Sequence, residues 1–100
     1  MKQDYKLINN TEKLQYEFHI NRHVPLIEYI VNKDGNICLT HTEVPTALGG
    51  KGVGTQLVEK TLEEIGNRGF KVIPICPFVA KYIKKNPMWK SIVAEGITIR

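Results

Sequence analysis

The sequence predicts an α/β fold, a mixed and mostly antiparallel sheet with helices packed on its faces. Three observations predict it. Three strand-like segments follow one another before residue 45, a long amphipathic segment follows a glycine-rich stretch, and an apolar run then leads into a proline-opened helix. One hundred residues hold one hydrophobic core, so residues 1–100 are read as a single domain. With 42% hydrophobic and 24% charged residues, the chain has the composition of an ordinary globular protein.

The first strand is read from Leu14, Tyr16, Phe18 and Ile20, which alternate with Gln15, Glu17 and His19. A second, from Pro25 to Asn32, is rich in Ile, Tyr and Val. Asp34-Gly35 supplies the turn of a hairpin, because glycine tolerates positive φ. The third strand, Asn36 to Val44, stops at Pro45, which has no N–H to donate to a ladder. Val53, Leu57, Val58, Leu62 and Ile65 then fall on one helical face, with Thr55, Gln56, Glu59, Lys60, Glu63 and Glu64 on the other. Residues 66–69, Gly-Asn-Arg-Gly, suit a left-handed helix cap. Phe70 to Ile75 reads as a buried strand, and Pro77 opens a second helix running to Lys85. Asn86-Pro87 ends that helix, and Gly96 to Arg100 is read as a short edge strand.

Several function classes are disfavoured. No apolar run approaches the roughly 18–20 residues of a membrane span. The first residues lack the apolar centre of a signal peptide, so a cytoplasmic protein is expected. Cys38 and Cys76 form neither a disulfide framework nor a CxxC metal spacing. His19 and His23 have helical ligand spacing in strand-like surroundings, so no metal site is expected. The charge is uneven: five Lys/Arg against six Asp/Glu in residues 1–50, nine against four in residues 51–100. The basic half suits a phosphorylated ligand or a solvated surface. A net charge of +4 without a helix-turn-helix or aromatic RNA motif argues against nucleic acid.

The strongest functional signal is the run Gly49-Gly50-Lys51-Gly52-Val53-Gly54-Thr55 between a strand and a helix. A helix's first turn carries N–H groups without intrahelical acceptors, and the macrodipole adds partial positive charge. Glycines let a phosphate approach those groups, and Lys51 adds a full charge. A P-loop is excluded, since no Lys follows Gly54 before Thr55. A dinucleotide fingerprint is excluded too, since the spacing is GxGxG and residues 70–94 contain no acid for a ribose. A plain strand-to-helix connection is the bland alternative.

Together, His41-Thr42-Glu43-Val44-Pro45, the loop through Gly54, and Pro74-Ile75-Cys76-Pro77-Phe78-Val79-Ala80 resemble the small single-domain GNAT-type N-acetyltransferases. Gly52 and Gly54 fit the two small positions of that family's loop, while Gly49 stands where the family carries Arg or Gln. The resemblance implies that acetyl-CoA is the cosubstrate and an amine the acceptor. It implies that the strands ending at Val44 and Ile75 splay apart, with pantetheine lying in the gap beside Glu43 and Val44 like an added strand. It places Lys84, not Tyr82, where many members carry a tyrosine acid.

Acetyl transfer requires a neutral amine, oxyanion stabilisation and a proton for the departing thiolate. Glu43 is the first candidate for general base, and His41, two residues earlier on the same strand, is a second. Cys76, at the start of the second helix, is a candidate acyl-accepting nucleophile or a small buried residue. Lys81, Lys84 and Lys85 are candidates for the adenosine phosphates or for a solvated helix face. The leading expectation is an acetyl-CoA-dependent N-acyltransferase, and its rival a CoA-binding protein with little catalysis.

Overall fold

A computed structural model describes residues 3–99. Five strands form one sheet: β1 (Ile8–Asn10), β2 (Gln15–Glu17), β3 (Leu26–Val31), β4 (Ile37–Glu43) and β5 (Val72–Pro74). They lie in sequence order across the sheet, antiparallel except for the parallel β4–β5 pair. Helix α1 (Val53–Asn67) crosses between β4 and β5, and α2 (Pro77–Lys85) follows β5. The mixed, mostly antiparallel α/β architecture is the expected one.

Two differences concern the ends of the chain. β1 went unread because its strand-poor sequence, Ile-Asn-Asn, pairs only through the sheet. Residues 96–99 form no edge strand, and Arg100 lies outside the described residues. The last pairing comes earlier: Val93 bridges Val72 and the Ala94 N–H donates to the Val72 carbonyl at 2.9 Å. Gly96, at φ +83°, then turns the chain.

The turns follow local chemistry. The Asn32 side chain accepts from the Asp34 and Asn36 N–H groups at 3.0 and 2.9 Å, and Gly35 takes φ +82°. A second hairpin turn, Asn21-Arg22, has both residues at positive φ, +47° and +69°. At the end of α1, Gly69 takes φ +79° and the Phe70 N–H reaches back to the Ile65 carbonyl.

Both helices and one face of the sheet share a single apolar core, centred on Phe18, Ile27, Leu39, Leu57, Leu62, Val72, Val79 and Ile83. The two helices touch each other, so they cover the same face rather than opposite ones. α1 buries the five expected apolar residues. It also buries Gln56, which the periodicity assigns to the polar face. The Gln56 amide accepts from the Tyr5 N–H at 2.8 Å and donates to the Gln3 carbonyl at 2.7 Å, tying the first described residues to α1.

One irregularity sets the site. Glu28 pairs with His41 and Tyr29 with Leu39, so Thr40 is an extra residue on β4. Its hydroxyl donates to the Glu28 carbonyl at 3.2 Å. The bulge shifts the alternation by one. Ile37 and Leu39 face the core before it; Thr42, opposite the fully buried Ile27, faces the core after it. His41 and Glu43 are thereby turned to the open face.

Candidate functional site

β5 pairs with β4 only from Ile37 to Leu39. The N–H groups of Ile75 and Cys76 both end on the Leu39 carbonyl, at 3.1 and 2.9 Å, and Pro77 then starts α2. β4 runs on to Glu43 with no partner strand on that side among the described residues. This open backbone edge is a gap of the kind an extended chain can join.

The glycine-rich loop lies at the same end. After Pro45, a short 3-10 turn at Thr46–Leu48 buries Leu48, and Gly49 stays extended. Gly50 and Gly52 take φ +76° and +72°, conformations that disfavour any other residue. Gly54 is close-packed for a different reason. A Cβ there would lie 2.9 Å from Phe78 Cζ and 3.3 Å from Val44 Cγ2, so its bareness keeps the loop close to α2 and β4. No side chain caps α1, and among the described residues the Val53, Gly54 and Thr55 N–H groups have no acceptor. They border a groove of about 240 Å³ lined by Gly49, Gly50, Gly52 and Val53 to Thr55, with Val44, Leu48 and Phe78 as walls. Lys51 lines a separate cavity with Leu48, Tyr5 and His19 instead. Lys81 lines a neighbouring groove.

The three candidates for chemistry are not brought together. Glu43 and His41 are neighbours on the open face, with His41 Nε2 at 3.6 Å from Glu43 Oε1 and both side chains more than half exposed. Cys76 is buried on the core side, where its thiol donates to Thr42 Oγ1 at 3.2 Å. Glu43 and Cys76 therefore flank the gap from opposite faces. Thr42 was missed from the sequence, since its inward orientation depends on the Thr40 bulge. Tyr82 is half-buried, and burial raises its pKa, with Glu59 and Glu63 adding to the effect.

A loop of N–H groups without acceptors, beside a strand edge that is unpaired among the described residues, is a geometry that a phosphate and an extended chain can join. A family model described as a GCN5-related N-acetyl-transferase matches residues 15–92, and the chain belongs to that family. The chain is also similar to Protein NATD1 of Xenopus tropicalis, 30% identical over 84 residues, covering 80% of this chain and 75% of that one. Protein NATD1 of Mus musculus is 30% identical over 84 residues, covering 80% and 74%. The Homo sapiens protein of that name is 34% identical over 68 residues, covering 68% and 58%. Members of this family generally use acetyl-CoA. Among the described residues no helix is long and apolar enough to cross a membrane, and no three His, Cys, Asp or Glu side chains are arranged to hold a metal.

Proposed function

We propose that the chain works as one N-acetyltransferase domain, moving an acetyl group from acetyl-CoA to an amine by direct attack. The observation that carries this reading is the row of free N–H groups at Val53, Gly54 and Thr55, opening beside the unpaired end of β4. The N–H groups take the pyrophosphate, and the backbone near Glu43 and Val44 takes pantetheine as an added strand. The amine nitrogen attacks the thioester carbonyl from the open face, forming C–N as C–S breaks. Glu43, directly or through a water, removes the amine proton, and the departing thiolate takes a proton from solvent. His41, within reach of Glu43, is a positioning residue for that carboxylate. Cys76 serves the frame of the site, because its buried thiol is already engaged with Thr42.

A CoA-binding protein with little catalysis is the second reading. It is favoured by the exposure of Glu43 and His41, whose side chains are 66% and 56% exposed. Incubation with acetyl-CoA and a set of primary amines, followed by intact-mass analysis and free-thiol release, separates the two. Amine-dependent thiol release supports transfer. Tight CoA binding with no release from any amine supports the binding protein.

A further inference from the structure

The face of the sheet turned away from the helices carries an apolar row that the core does not use. Tyr29, Leu39 and Val72 are buried toward the helices, so their neighbours Ile30, Cys38 and Ile73 point the other way. Cys38 pairs with Ile30 on one side and Ile73 on the other, which sets the three side by side across β3, β4 and β5. Cys38 is buried yet stands outside the core cluster, while Ile30 is half exposed. Ile75 continues the alternation of β5 to the same open face and is 56% exposed. Cys76, the next residue, returns to the core side, where its thiol meets Thr42. A single exposed isoleucine is ordinary, but here three share one patch.

That patch adjoins the place of reaction. The Ile75 N–H closes on the Leu39 carbonyl, so an extended chain laid along β4 from the glycine loop runs out of open edge there. Its reacting end lies beside Ile75, and a nucleophile arriving from the open face passes over the row. On the other side of the gap that face is charged. Glu43 and His41 lie on β4, and Glu28, paired with His41 on β3, makes no ion pair among the described residues. Carboxylates draw in an ammonium group, whereas isoleucines reward only the carbon atoms behind it. We propose that the row seats the stem of the acceptor, so that the domain selects a primary amine on an unbranched apolar chain, with Ile75 setting the preference. The inference rests on the acetyl-transfer reading above and adds to it the class of acceptor. A stem rich in hydroxyls or further charges would lose water against Ile75 and find no partner there.

Conjugates that join the CoA sulfur through an acetamide to an amine stem test this on the full chain without requiring turnover. Calorimetry compares CoA with conjugates bearing an ethyl stem, a hexyl stem and a hydroxyethoxyethyl stem of hexyl length. The wild type is expected to bind the hexyl conjugate about tenfold tighter than the other two, from partial burial of the added methylenes. Ile75→Thr keeps the branched shape and adds a hydroxyl. It should lose most of the preference while binding CoA itself as the wild type does. Met88→Thr, at a residue 70% exposed in the turn after α2, should keep it. Equal wild-type affinity for the hexyl and hydroxyethoxyethyl conjugates overturns the inference. So does a preference that survives Ile75→Thr, one that Met88→Thr removes equally, or conjugates that all bind more weakly than CoA. Binding of neither CoA nor any conjugate removes the acetyl-transfer reading and this inference together, whereas CoA binding without a stem preference removes the inference alone.

Discussion

Glu17 is a carboxylate buried to 4% exposure in a strand, a position that normally disfavours charge. Burial pushes its pKa up. Hydrogen bonds from Gln15 Nε2 at 2.5 Å, His19 Nε2 at 2.8 Å and Asn10 Nδ2 at 3.4 Å outweigh that and hold it below its ordinary value of 4.5. A carboxylate lowered by folding contributes stability above its unfolded pKa, and loses it as pH falls through the folded one. The Glu17→Gln variant should therefore melt lower at pH 7, by about 1–3 kcal/mol for the mispaired donors. It should also show a shallower decline than the wild type below about pH 4.5. Parallel pH melts would contradict this account. At the gap, Glu43→Gln should lower turnover without changing CoA affinity, because an amide cannot take the amine proton. Cys76→Ala should retain much of the rate and lose some stability, measured by thiol release and thermal melts. An acetyl group found on Cys76 by intact mass, and passed to the amine at the catalytic rate, would replace direct attack with a two-step route. The pairing of Glu17 was hidden in the sequence: the alternation marks its position on β2 but not the Asn10 that β1 brings opposite Gln15, a diagonal neighbour of Glu17.

At the scale of elements, what was legible is what short-range geometry dictates. The glycine loop, the face of α1, the Gly69 cap and the Pro77 start each depend on a few neighbouring residues, and each formed where expected. The Thr40 bulge was not legible, because an extra residue on β4 exists only relative to β3. It decides which face His41, Thr42 and Glu43 serve, so the geometry around these positions escaped a reading that had named His41 and Glu43 as candidates. The short β1 and the absent strand at residues 96–99 failed for a related reason, since marginal strands are decided by what they pair with. Two loop positions make distinct predictions. Gly52→Val forces a β-branched residue to φ +72°, costing at least about 1–2 kcal/mol or turning the N–H groups aside. CoA affinity should fall by tenfold or more, about 1.4 kcal/mol. Gly54→Ala has no φ penalty of that kind, and its added carbon meets Phe78 Cζ, the end of a movable ring. Its fold should survive while Phe78 swings and CoA binding weakens. Unchanged calorimetric affinity in both folded variants would remove the loop from the site.

At the scale of the whole molecule, the first described residues are fastened across α1 by polar contacts as well as apolar ones. Gln56 holds the Tyr5 N–H and the Gln3 carbonyl, and Lys60 donates to the Tyr5 carbonyl and pairs with Asp4 at 2.5 Å. The Tyr5 ring tilts against Phe18 with centroids 5.3 Å apart, joining the segment to the β2 side of the core. These contacts span more than 50 positions of sequence, and they bear on the helix whose first turn forms the loop site. Gln56→Ala removes both amide bonds at once and leaves two part-buried backbone groups without partners, costing about 1–3 kcal/mol. In a domain of this size each kcal/mol lowers Tm by about 4–8 °C. Gln56→Glu keeps the acceptor for the Tyr5 N–H but sets a carboxylate oxygen against the Gln3 carbonyl at a buried position, so it should gain no stability over Gln56→Ala at pH 7. If the segment is a structural fastening, both variants lower Tm, and CoA affinity measured well below Tm stays close to wild type. An affinity loss in a fully folded Gln56→Ala protein would instead mean that the fastening sets the angle of the first turn of α1, and with it the reach of the Val53, Gly54 and Thr55 N–H groups.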